Sequence, residues 1–528
     1  MSNQIILGID LGTTYSCVAY VDEFGKAVTL KNADGDLTTP SVVHFTDEQN
    51  QDVGAEAKNY EVMDPEHTVS CIKRQMGTDF RRNIYGTAYS PQEISSKILR
   101  KLVNDANDAL REQSVLKEGD VNKVVITCPA YFGVAEKQAT KDAGELIGLE
   151  VIDIINEPTA AAINYGMLNS EDNGKRVMVY DLGGGTFDVT VIEIEDNKIN
   201  VVCTGGDPQL GGKDWDTALV EYFVKCWQEE KDTSEDITDN LETLCSFLEA
   251  AEKAKKSLTS KQKANVILNH DGERMRLELT RENFDQITKE LLDKTIDYTN
   301  SCIQAAAAKG CPLEKIDEIL LVGGSSRMPQ VKQRLDETYK IKTSLFDPDE
   351  AVAKGAALYA QIRTNIECGL AGGSGFASPV SPIVINNVSS RTYGVDVIDR
   401  FTKKPYISNF IFQNDTLPKT DTQTFCTLEN NQTGVKFDVY ESLGSDARID
   451  NFDNATKITT IYMKFEKPVP VDTEIITTMR LENSGLLYVE AEEQLYHSKL
   501  KTSFEIANTL SESEKMQAKE RAKNSTVE

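Results

Sequence analysis

Histidine is scarce in this 528-residue chain: His44, His67, His270 and His497 stand apart and form no ligand cluster. The ten cysteines are scattered and contain no C-x-x-C pair. A zinc site and a disulfide framework are therefore excluded as organising features. Cys17 and Cys128 lie in apolar, strand-like runs and read as core residues. No G-x-x-x-x-G-K-[ST] occurs, which excludes a P-loop. No apolar run approaches transmembrane length, and Asp10 and Gly12 interrupt the one near the N-terminus, so no secretory signal is expected. Positive charge is in deficit, 57 Lys and Arg against 84 Asp and Glu, for a net charge of −27. That balance argues against binding nucleic acid or an anionic membrane. The expectation is a soluble protein of a reducing, cytoplasmic compartment, in which Asn-x-Ser/Thr triplets such as Asn454-Ala455-Thr456 carry no meaning. The length predicts more than one domain and ample core.

What the chain does have is glycine turns bounded by strands. Residues 176–193 read R-V-M-V-Y-D-L-G-G-G-T-F-D-V-T-V-I-E. Val177 to Tyr180 form one apolar arm, and Val189, Val191 and Ile192 the other. At the tip stand Asp181, Gly183, Gly184, Gly185, Thr186 and Asp188. The glycines expose backbone N–H groups and admit a bulky anion. Two carboxylates beside phosphate alone would repel it; a hydrated Mg²⁺ between them resolves the conflict. Alone, this would be an ordinary glycine turn with surface aspartates. The design recurs, however: the run 5–9 ends in Asp10-Leu11-Gly12-Thr13-Thr14-Tyr15, a domain-sized interval earlier. A third glycine turn, Gly323-Gly324-Ser325-Ser326-Arg327, follows the apolar run 319–322. Paired phosphate hairpins describe a two-lobed ATPase with nucleotide in its cleft.

GIDLGTTYS, CPAYFGVAEKQATKDAG, IINEPTAAAINYG, DLGGGTFDV, LVGGSSRMP and DPDEAVAKGAA, in that order, closely resemble the 70-kilodalton heat-shock chaperones of the DnaK type. The hairpins also occur in actin and sugar kinases, but INEPTAAA beside DLGGGTFDV is specific to the chaperone branch. The resemblance covers most of the chain. It implies an α/β fold: an actin-like ATPase domain over residues 1–365, a linker over 366–388, an all-β sandwich for peptide over 389–507 and a helical stub of a lid over 508–528.

By that resemblance, Lys73 reaches the γ-phosphate and the attacking water, and Glu157, opening a helix, orients water around the metal. Asp10, Asp181 and Asp188 hold Mg²⁺ through water, with K⁺ as a further ion, while Thr13 and Thr14 hold phosphates and Thr186 helps place water. Glu252 and Lys255, on a helix read over 248–258, approach ribose, and Lys256 lies against adenine, where the family usually has arginine. Ser325 and Arg327 bracket the base. Asp349 caps the next helix. After 76–80 the chain is shorter than the family pattern, before a helix expected near 91–110.

The glycine-rich stretch 369–375 reads as flexible. The following run 382–388 keeps an apolar core but carries Asn386-Asn387 where the family has leucine and an acid. Beyond it the period becomes two: Val435, Phe437 and Val439, then Ile461, Met463 and Phe465, then Thr502, Phe504 and Ile506. Ile407, Phe425, Leu428 and Val435 align with peptide-groove positions, and for each the alternative is sandwich core. Ser511-Glu512-Ser513-Glu514 is a capping box that starts the tail helix. Asp153 occupies a place where the family has an arginine that meets the linker acid and a J-domain co-chaperone. Asp153 is therefore expected to accept a hydrogen bond from Asn387, with weak J-domain stimulation as the consequence.

The expected function is ATP hydrolysis coupled to binding of unfolded polypeptide, with J-domain and exchange-factor proteins as partners. Three alternatives stay open at this point: an ATP-binding relative acting as exchange factor or partner-bound cofactor, a small-molecule kinase, and an actin-like filament protein.

Overall fold

A computed structural model describes residues 5–168, 174–195, 198–367, 384–483, 485–503 and 510–528. The glycine-rich stretch 369–375 and the positions Phe504 and Ile506 fall outside these. Mixed α/β structure runs through the chain, and two six-stranded sheets carry its larger part.

Those sheets share one strand plan. In the first, Leu7–Asp10 lies between Lys123–Cys128, parallel to it, and Tyr15–Val21, antiparallel to it; Glu150–Asn156 and Ala27–Thr29 extend the two sides. In the second, Lys175–Leu182 lies between the parallel Glu318–Val322 and the antiparallel Phe187–Glu195, flanked by Thr343–Leu345 and Lys198–Asp207. The repetition read from the two Asp-Leu-Gly runs is thus a repetition of topology. Strands buried on both faces read as continuous apolar runs, which is why 177–180 and 319–322 lack alternation.

Helices Glu157–Leu168 and Ala351–Glu367 pack together between the sheets. Small residues permit it: a Cβ on Gly355 would stand 1.8 Å from the Ala160 carbonyl oxygen, and one on Gly8 would stand 2.2 Å from the Ala357 nitrogen. Aromatic mass fills the second unit, where Trp215, Phe223, Trp227 and Phe247 share one cluster with Tyr180 and Phe187.

After residue 384 the pattern changes. Strand Val384–Asn386 joins the second sheet, parallel to Lys198–Asp207. Two antiparallel sheets follow. The first has the order Arg448–Ile449, Pro405–Ile411, Thr392–Ile398, Gln432–Ser442 and Ala455–Val469. The second has the order Lys419–Cys426, Glu474–Leu481, Leu487–Glu493 and Lys499–Ser503. Val395, Phe410, Phe437, Val439, Met463, Phe465, Met479 and Val489 form their common core. Alternation is strict in Glu474–Leu481 and Leu487–Glu493, as expected of strands with one face inside. Val134 and Ala135, from the start of helix Val134–Leu146, join this core.

The tail helix Glu512–Lys523 begins with the expected capping box between Ser511 and Glu514. It packs against helices Pro91–Glu112 and Val134–Leu146, with Arg521 on Glu93 at 2.6 Å and Lys515 on Asp142 at 2.9 Å. Thr526–Val527 then adds a parallel strand to Asn50–Val53. Charge pairs and a small apolar cluster of Leu510 and Ala518 with Leu146 fix its place, and their partners lie on the first unit. Among the described residues no helix is long and apolar enough to cross a membrane.

Candidate active site

Asp10 ends its strand, and Asp181 sits one residue from the end of its own. The shared strand plan brings both tips together at one edge. Asp181 faces Asp188 across its hairpin. Asp10 accepts a hydrogen bond from the Thr127 hydroxyl at 3.1 Å, and Asp188 accepts one from the Ala130 N–H at 3.0 Å. Lys73, in the single turn Ile72–Gln75, reaches Glu157 at 2.5 Å. Lys73, Glu157, Asp181, Thr186 and Asp188 are all buried.

Four carboxyl groups thus surround one lysine, Asp10 half-buried and the other three buried. Burial, then the nearby Glu157 charge, pushes Asp10 up to about 7. Burial and the same neighbour push Asp181 and Asp188 well above the usual carboxylate range. Burial works against the Lys73 charge, yet Glu157 and Asp10 outweigh it and raise the lysine. Such an excess of buried acid fits a divalent cation. No three acids, cysteines or histidines among the described residues cluster for direct ligation.

The phosphate-binding candidates pass a similar test. Thr13 Oγ1, Thr14 Oγ1 and Asp188 Oδ2 are buried without a hydrogen-bond partner. The two hairpin tips abut: a Cβ on Gly184 would lie 1.9 Å from Thr14 Oγ1. Gly183 is tied across its own turn, its N–H bonded to the Thr186 carbonyl at 3.0 Å, and Gly185 lies against Thr13. Gly12 is held by the Ser16 hydroxyl at 3.1 Å. Gly323 has φ 79° and lies so close to Asp181 that a Cβ would stand 2.4 Å from its carboxylate. Only glycine meets both demands.

The residues expected around the nucleoside form two groups. Glu252 meets Lys58 at 2.7 Å and Lys256 at 2.9 Å, and both lysines contact the Tyr15 hydroxyl. Burial opposes ionisation of Glu252, but Lys58 and then Lys256 hold it down at about 2. Lys256 also lies 4.8 Å from the centre of the Tyr15 ring. In the second group Lys255 binds Asp216 at 2.8 Å and the Gly212 carbonyl at 2.6 Å, beside Ser325. Arg327 pairs with Asp349, which lies against Gly324. The Asp349 carboxylate is thus engaged by Arg327.

Three participants were missed in the sequence. Lys58 bridges from helix Ala55–Met63 to Glu252, and Arg74 binds Asp214 at 2.6 Å and the Gly185 carbonyl at 2.7 Å. Tyr131 is buried beside Thr186, Asp188 and Glu157. Arg74 adjoins Lys73 and Tyr131 lies in the CPAYFG run, but Lys58 stands in no motif.

A family model described as Hsp70 protein matches residues 6–528. The chain belongs to the Hsp70 family. It is similar to the chaperone protein DnaK of Thermotoga petrophila, of Thermotoga sp. strain RQ2 and of Thermotoga maritima. Each is 38% identical over 499 residues, which is 93% of this chain and 78% of the relative.

Two expectations for this Hsp70 chain meet a different arrangement. Asp153 accepts from the Tyr359 hydroxyl at 2.6 Å and pairs with Arg363 at 3.7 Å, not with Asn387. The Asn387 side-chain oxygen is buried without a partner. The cause is topological: Asp153 is on the edge strand of the first sheet, whereas Val384–Asn386 lies along the second. Nor do the groove candidates gather into an open surface. Ile407 is 1% exposed, Phe425 and Val435 pack against the sandwich core, and Leu428 is exposed.

Proposed function

We propose that this Hsp70 chain is an ATP-driven chaperone that hydrolyses Mg-ATP and couples nucleotide state to binding of unfolded polypeptide segments. In this reading residues 1–365 are an actin-like, two-lobed ATPase, 366–388 a linker, 389–507 a β-sandwich for extended peptide and 508–528 the start of a lid. The observation that carries it is the buried Lys73–Glu157 pair among Asp10, Asp181 and Asp188, beside the unpartnered hydroxyls of Thr13 and Thr14.

Asp10, Asp181 and Asp188 would hold Mg²⁺ through its waters, and Thr13 and Thr14 would donate to phosphate. When bound, the ion supplies neutralisation of the phosphate charge. Lys73 brings a fixed positive charge toward the transferring group, and Glu157 holds its ammonium in place. Thr186 and Lys73 orient the attacking water. Positioning and charge suffice for this reaction; no strong base is needed. Lys256, with Glu252 and Lys58, and Ser325 with Arg327 would enclose the nucleoside.

The docked strand Val384–Asn386 supports coupling, since a shift in the second sheet acts directly on the segment leading to the β-sandwich. Ile407, Phe425, Leu428 and Val435 are the proposed peptide contacts. Burial of Ile407 implies that this arrangement is one of low peptide affinity. Partners of the reading are extended polypeptides, J-domain proteins and exchange factors, in the cytoplasm. The test is peptide release measured with ADP and then with ATP. Release should be faster with ATP; equal rates in both states would overturn the coupling.

A further inference from the structure

Cys203 and Cys302 have their sulfurs 3.2 Å apart, both buried. The first is on strand Lys198–Asp207, the second on helix Lys289–Ala308. Among the described residues this is the one thiol–thiol contact at hydrogen-bond distance. We propose that Cys203 and Cys302 are a redox modification site that closes to a reversible disulfide on exposure to hydrogen peroxide.

The surroundings suit that chemistry. A disulfide needs an S–S distance of about 2.0 Å, so the sulfurs must approach by only about 1 Å. The strand is irregular here: Cys203 pairs with Val191 and Val201 with Ile192, which leaves Val202 as an extra, bulged residue. Its carbonyl accepts from Lys309 Nζ at 2.6 Å, which places an ammonium beside the pair. The hydrogen bond from Cys302, then the Lys309 charge, hold the Cys203 thiol below its usual range, while Cys302 is pushed up. Burial raises the thiols of Cys17, Cys71, Cys128, Cys226, Cys245 and Cys311. With the Lys309 ammonium held at the Val202 carbonyl next to it, Cys203 is assigned as the nucleophile of the pair. Its thiolate attacks one peroxide oxygen; the O–O bond breaks, hydroxide leaves and takes up the proton that the Cys203 thiol released, giving the first water, and Cys203 becomes a sulfenic acid. The Cys302 sulfur then attacks the Cys203 sulfur. The S–S bond forms, the S–O bond breaks, and the hydroxyl leaves with the Cys302 proton as the second water. Each sulfur loses one electron, and peroxide is reduced by two.

The site also has a place in the assembly. Lys309 Nζ bonds the Asn414 carbonyl at 2.5 Å, and the Thr204 N–H bonds the Asn414 side-chain oxygen at 2.9 Å. The loop after Pro405–Ile411 therefore rests on the strand residue next to Cys203. The same strand carries Val384–Asn386 at its other end. A disulfide would tether it to the helix beneath.

The test uses the whole chain. It is treated with hydrogen peroxide, denatured, alkylated and digested, and the peptides are weighed. The expected product joins the Cys203 and Cys302 peptides, lighter by two hydrogens, and dithiothreitol restores both thiols. In Cys302→Ser the cross-link should vanish and Cys203 should react with a sulfenic-acid trap. The proposal is overturned if both cysteines are alkylated as free thiols at a dose that oxidises the exposed Cys426, or if Cys203 is found joined to a different cysteine. Packing without chemistry gives the first of these results.

Discussion

Replacing Lys73 by alanine should do two separable things. Lys73 and Glu157 are 6% and 9% exposed at their side chains, and their bond is 2.5 Å. Removing one partner of a buried pair leaves the other charge uncompensated, at a cost of about 3–5 kcal/mol. Here the orphan would be Glu157, already beside Asp10, Asp181 and Asp188. Lys73→Ala should therefore lower the denaturant midpoint of the first unit. It should also slow single-turnover ATP hydrolysis by roughly 10²-fold or more, because a charge aimed at the transition state is lost. Nucleotide affinity, set mainly by other groups, should change little. The double variant Lys73→Ala/Glu157→Gln separates the effects. The amide removes the orphan charge, so most of the stability should return while hydrolysis stays slow. Denaturant unfolding and a single-turnover assay on the same preparations decide it. Parental hydrolysis in the double variant would remove Lys73 from the chemistry. An unchanged midpoint in Lys73→Ala would show that the lysine does not balance the acids.

Glu441 is buried at the contact between the β-sandwich and the first unit, facing Glu136 and Arg391, and burial and then Glu136 push it up to about 8 from 4.5. A raised carboxyl favours the docked form below pH 4.5 and loses that contribution as pH rises through about 8, so energy transfer between dyes on the two parts should fall across that range. Glu441→Gln should flatten the profile, and an equally steep one would refute the assignment. Arg521→Ala removes two hydrogen bonds to Glu93 at 2.6 and 2.9 Å and should cost the tail about 1 kcal/mol, read as faster amide exchange in Thr526–Val527. Unchanged exchange there would show that the tail is held by other contacts. Lys256→Arg supplies a planar group that stacks, and should tighten nucleotide binding about fivefold by calorimetry. Unchanged affinity would place Lys256 outside the base pocket.

The sequence by itself determined the repeated hairpins, their carboxylates and threonines, the change of period at the β-sandwich and the capping box at Ser511. Each is a local pattern: glycine freedom, apolar periodicity and a side chain bonding its own turn all act within a few residues. Lys73 stands in no such pattern and is named only by the family resemblance, while Lys58, bound to a glutamate far along the chain, is not named at all. Tertiary structure alone decided which strand lies beside which. It sent Val384–Asn386 to the second sheet, away from Asp153, and gave Asp153 to Tyr359 and Arg363. It set the tail helix on the first unit through Arg521 and Lys515, whose partners Glu93 and Asp142 carry no signal of the pairing in sequence. It also brought Cys203 against Cys302 from a strand and a helix that no spacing rule connects. Charge pairs and thiol contacts between distant segments depend on topology, because any acid could have met any base until the sheets fixed their neighbours.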